Sequence, residues 1–227
     1  MLVLHLNFPS CGGVPEGRGG PSISKFLNSF IFKFLSSQIP KFTHMDIAQQ
    51  KRSENVAEYV LYIWQLEDLL RAMQFSPEAV FTALVAPRDT SDTWKLAALE
   101  WYMDIANLLV KEGKEESGHL DHTLHIVADM NDLHLMLVQQ PAGKEYRELF
   151  ARLAPELPRL RETLGRGDIS DIELAFRALY AAMLYRIKGE KDGVADEVTA
   201  LVSPVIAKLA EIFHKVERGE IDIYKSE

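Results

Sequence analysis

The chain has 227 residues, 47% of them hydrophobic and 26% charged, with one Cys and a formal net charge of −8. With only 13 Gly and 10 Pro, that apolar content excludes a disordered or fibrous chain, and it suffices for one well-buried core or at most two small ones. A lone Cys excludes a disulfide framework and a Cys-based zinc site.

The charge is unevenly spread. Residues 1–44 hold one acid, Glu16, against Arg18, Lys25, Lys33 and Lys41, and they also contain Cys11, five Gly and four Pro. The remainder is strongly acidic and has no Cys, so a boundary is placed before Met45. The run Met1–Leu6 has no basic residue ahead of it and is too short for a secretory signal. Within the segment, Ile23, Phe26, Leu27, Phe30, Ile31, Phe34 and Leu35 recur at helical spacing. An amphipathic helix over 22–37 would be too short and polar to span a bilayer, but it could lie on a membrane surface or dock on a partner. The expectation for residues 1–44 is a poorly ordered extension or an upstream mis-start, with the working domain over 45–217 and a frayed tail over 218–227.

From Asp46 onward the apolar period is helical and no strand is expected. A first helix over about Asp46–Gln74 carries Val56, Tyr59, Val60, Ile63, Leu66, Leu70 and Met73 on one arc, which Leu61, Tyr62, Trp64 and Leu69 widen. A helix apolar around most of its girth is expected at the centre of the fold. Ser76-Pro77 signals a short second helix ending before Pro87. Ser91 or Asp92 caps a third, to about Glu112, with Trp94, Ala98, Trp101, Ile105 and Leu108 on its core face; Gly113 stops it. Ser117 caps a fourth to about Gln140. A fifth begins near Lys144 and must split or kink at Pro155 and Pro158, which donate no backbone bond. Ser170 opens an Ala-rich sixth. The last spans about Val194–Val216, with a kink expected at Pro204. The expected fold is all-α, a single antiparallel bundle of six to seven helices joined by short loops.

Four of the seven His fall within His119–His134. On a helix, His122, His125, Asp129 and Asp132 share one stripe, and imidazole with carboxylate suits Zn, Fe or Mn. No matching Glu-x-x-His pair exists on another helix, and the stripe lies opposite Leu120, Leu124, Val127, Met130, Leu133 and Leu137. A solvated face is therefore the expectation, with a metal site as the sharper alternative. Asn131 and His134 fall inside the apolar arc and read as buried, hydrogen-bonded groups. Glu67 flanks the arc of the first helix and Arg186 lies in that of the sixth; each needs a partner if buried, and the two could pair. Arg166-Gly167-Asp168 matches an adhesion tripeptide but is explained by a helix stop. There is no Gly-rich phosphate loop, no Gly-x-Ser-x-Gly elbow and no thiol after Met45. The acidic body disfavours nucleic acid as a partner.

Several segments together resemble a known family. These are Ile47-Ala48-Gln49-Gln50-Lys51-Arg52, Glu54-Asn55-Val56-Ala57-Glu58-Tyr59, Trp64-Gln65-Leu66-Glu67-Asp68, Glu100-Trp101-Tyr102, Gly118-His119-Leu120 and Asn131-Asp132-Leu133-His134. The pattern resembles small helical bacterial proteins grouped as domain of unknown function 4924, over about residues 45–216. The resemblance implies a soluble, bacterial, cytoplasmic protein and assigns no activity, cofactor or catalytic residue. Two functions are carried forward. One is a non-enzymatic helical protein acting through protein–protein or self-association. The other is a metal- or small-molecule-binding bundle, an enzyme among its forms, using the His119–His134 helix.

Overall fold

The computed structural model describes residues 48, 51–140, 143–164, 168–187 and 193–221. The expectations for residues 1–44, for a helix over 22–37, for the first helix's start at Asp46 and for most of the tail lie outside the described residues. Among the described residues the chain is all-α with no strand. Eight helices are numbered here: α1 (Val56–Ala72), α2 (Pro77–Val80), α3 (Asp92–Lys111), α4 (Asp121–Gln139), α5 (Lys144–Leu153), α6 (Leu157–Leu164), α7 (Asp171–Ile187) and α8 (Val194–Glu217).

Local chemistry explains most of the boundaries. Residues 51–54 are helical, but the helix breaks at Asn55. The Asn55 side chain accepts from the backbone N–H groups of Ala57 and Glu58, so it caps a fresh helix, α1, rather than continuing the earlier one. At the other end, α1 stops at Ala72 because Gln74 and Phe75 adopt positive φ (54° and 56°). The Phe75 N–H reaches back to the Leu70 carbonyl, which offsets part of that backbone cost. Ser76 and Ser91 cap α2 and α3 by accepting from the N–H groups of Ala79 and Trp94. A single π-turn over Phe81–Val85 extends α2. The two prolines divide the fifth expected helix into α5 and α6, with a 3₁₀ turn at Ala154–Glu156 between them. Pro204 lies inside an unbroken α8.

Contacts between Cα atoms divide the chain into two compact units. Among the described residues, one comprises 55–61 and 124–221, and the other comprises 48, 51–54 and 62–123. In the first, α8 packs along α7 and against α5, while α6 packs on α7. Buried Ala175, Ala178 and Ala182 let the α7 backbone come close to its neighbours. Phe176, Val202, Val205 and Leu209 fill the same core; truncating a buried Phe of this kind to Ala costs about 3–5 kcal/mol. In the second unit, α2 and the π-turn pack on α3. Its core holds Trp64, Leu70, Val80, Val85, Tyr102 and Leu109.

The buried face of α3 differs from the expected one. It consists of Ala98, Tyr102, Ile105, Ala106 and Leu109, while Trp94 and Trp101 are half-buried and Leu108 is exposed. A helix apolar on three sides has no single hydrophobic direction, so spacing alone does not select which side faces inward.

Candidate functional site

The densest set of buried polar contacts joins α1 to the connection between α3 and α4. Trp64, Glu67, Asp68 and Arg71 stand at i, i+3, i+4 and i+7, so they share one side of α1. Glu67 is completely buried. Its Oε1 accepts the Leu120 backbone N–H at 3.1 Å, and its Oε2 lies 2.8 Å from His119 Nδ1. With a carboxylate oxygen as acceptor, that contact calls for the proton on Nδ1. The indole of Trp64 stacks on the His119 ring, centroids 3.8 Å apart and 8° from parallel. Trp64 Nε1–H donates to Thr123 Oγ1 at 3.0 Å, and the Thr123 hydroxyl donates to the Leu120 carbonyl at 2.8 Å.

One turn further along α1, Arg71 grips the connection itself. Its Nε–H donates to the Lys114 carbonyl at 3.0 Å and its second guanidinium nitrogen to the Gly118 carbonyl at 2.6 Å. Asp68, 2.8 Å from the guanidinium, holds the fork in place. The connection can turn here because Gly113 and Gly118 take φ of 66° and 91°, where a Cβ is strained. Glu112 accepts the Asp121 N–H at 2.8 Å. The start of α4 is thus held by carboxylates from α1 and from the residue following α3. Ser117, the expected cap, lies in the connection, four residues ahead of the helix. Three tertiary contacts outweigh one local hydroxyl.

A second polar centre sits in the other unit. His134 is buried, and its Nδ1 lies 2.7 Å from the Tyr146 hydroxyl. The imidazole meets Tyr146 edge-on and packs at 4.5 Å on Phe150. Burial holds the His134 pKa below the ordinary histidine value, with Asp171 opposing more weakly. Burial also raises the Tyr146 hydroxyl well above its usual range. A neutral imidazole bonded to a neutral phenol is a satisfied core pair.

The other sequence candidates fall on the surface. His122, His125, Asp129 and Asp132 are all exposed, and Asn131 is half-buried. Among the described residues, no group of three or more His, Cys, Asp or Glu side chains is placed to hold a metal ion. Arg186 is exposed rather than buried and pairs with Asp196 at 2.7 Å. At the penultimate position of α7, its long side chain reaches water past the helix end. Glu67 takes His119 as its partner. Sequence reasoning picked out Glu67 but missed Trp64, Arg71, His119 and Thr123 as members of one cluster. The available signal is Glu67, Asp68 and Arg71 standing together beside the apolar arc of α1.

The architecture and the clusters define an all-helical protein whose best-placed polar side chains bind its own backbone. The chain belongs to the family described as Domain of unknown function (DUF4924), whose model matches residues 45–220. No curated protein and no solved structure matches the chain. No helix among the described residues is long and apolar enough to cross a membrane.

Proposed function

We propose that this protein works by association rather than by catalysis, and that it associates with itself through one flank of α3. The observation that carries the reading is the exposure of that flank. Leu96 is 67% exposed and Val110 49%, with Leu99 and Met103 half-buried between them. At 100° per residue these four fall within a sector of about 60°, beside the buried face of the helix. Isolated surface apolar residues are ordinary, but four within one sector of a 20-residue helix form a strip, interrupted only at the turn that carries Asn107. The buried polar groups support the same reading. Glu67, Arg71 and Thr123 each bond backbone of the 114–120 connection and a side chain of the same cluster.

Sedimentation velocity across roughly three decades of protein concentration tests the reading. The mean mass is expected to rise with concentration, and Leu96→Glu combined with Val110→Glu is expected to abolish the rise while leaving helix content unchanged. A parent chain that stays monomeric into the high micromolar range would overturn it, as would association unaffected by the double substitution.

A further inference from the structure

We infer that the occupant of the α3 flank is the same flank of a second copy, running antiparallel across a two-fold axis near Met103. The inference rests on the self-association proposed above and adds the geometry. A two-fold interface brings one patch against itself, so the patch must be self-complementary in shape and charge. With the axis at Met103, Leu96 of one copy faces Val110 of the other and Met103 faces itself. Between these three apolar layers, Leu99 of one copy comes level with Asn107 of the other, so the apolar pairs are confined to the two ends and the centre.

Charge selects the direction. The first turn of α3 is acidic through Asp92 and its last turn basic through Lys111, both exposed. Antiparallel packing sets the Asp92 end of each helix against the Lys111 end of the other and opposes the two helix dipoles. Parallel packing would set Asp92 beside Asp92 and Lys111 beside Lys111. Along the axis, Asp92 falls three residues, about 4.5 Å, from the level of the second copy's Lys111, within reach of a lysine side chain. Glu100 and Asn107 lie along one edge of the strip, and across the axis they come level with Ala106 and Leu99 of the second copy.

Two measurements on the full-length chain decide it. In a Cys11→Ser background, Met103→Cys is expected to form an intermolecular disulfide under mild oxidation, whereas Leu135→Cys, exposed on α4, is not. Asp92→Lys and Lys111→Glu are each expected to weaken association about 3–10-fold, and the double variant to restore it. Rescue by the double variant separates an intermolecular pair from a local loss of helix-end charge. Association with neither the disulfide nor the rescue would reject the antiparallel geometry and leave the self-association reading standing. A chain monomeric at every concentration would reject both.

Discussion

Replacing Glu67 measures how much of the structure depends on one carboxylate. In Glu67→Ala, the Leu120 N–H, at a fully buried residue, loses its acceptor, as does Nδ1 of His119, whose side chain is 16% exposed. An orphaned buried donor costs about 1–3 kcal/mol, and the partly exposed imidazole recovers some of its loss through water. With the cavity left by the missing atoms, the total is about 3–5 kcal/mol, the usual scale for breaking a buried pair. Glu67→Gln is a gentler perturbation. Its amide oxygen still accepts from Leu120, and its amide NH₂ faces a His119 ring that can shift its proton to the other nitrogen. Only the charge assistance is lost, about 1–2 kcal/mol over two bonds. For a chain of this size each kcal/mol lowers the melting temperature by about 2–4 °C, giving a drop of about 2–8 °C for Gln and 6–20 °C for Ala. Thermal and urea unfolding followed by tryptophan fluorescence reads both, and Trp64, stacked on His119, reports from the cluster itself. An Ala variant within about 0.5 kcal/mol of the parent would refute the claim that this carboxylate secures the start of α4. Equal losses for Gln and Ala would locate the effect in the charge, not in acceptor geometry.

Two further outcomes follow from the other unit. The depressed His134 pKa means that the unfolded chain binds the proton more readily than the folded one. The stability it contributes is therefore complete above the unfolded value of about 6.5 and is lost as pH falls through the lower folded value. His134→Gln, which can still bond the Tyr146 hydroxyl, is expected to flatten the pH dependence of the urea midpoint on the acid side; an unchanged slope would contradict a buried neutral imidazole. Gly143 packs against the backbone of Leu137 so closely that a Cβ would collide with that residue's carbonyl oxygen. Gly143→Ala is expected to lower stability by about 1–3 kcal/mol in urea unfolding, and a neutral result would contradict the close approach of Gly143 to the Leu137 carbonyl.

The features legible in the sequence are those whose cause is local. Ser76 and Ser91 cap because a hydroxyl reaches an N–H three residues on, and Pro155 and Pro158 interrupt a helix whatever surrounds them. Asn55 was equally local, but an apolar period running across it concealed the break. The start of α4 was not legible from its own residues. Ser117 carries the right side chain, yet the helix begins where carboxylates from Glu67 and Glu112 meet its N–H groups, one of them 53 residues away. The inward side of α3 was legible only at Ala98 and Ile105, since Trp94, Trp101 and Leu108 are as apolar as Tyr102 and Leu109. Within the polar cluster, Glu67 stood out as an acid beside an apolar arc. His119 and Thr123 are ordinary until α1 lies beside them.

The hold of α1 on residues 114–120 also sets an order of events during synthesis. Glu67 and Arg71 leave the ribosome more than 40 residues before their partners. At ~5–20 residues per second that lead amounts to about 2–10 s. Through that interval one side of α1 carries a carboxylate and a guanidinium that hydrophobic collapse cannot bury without losing their hydration. That side of the nascent helix therefore stays costly to bury until Leu120 and Gly118 arrive to replace the water.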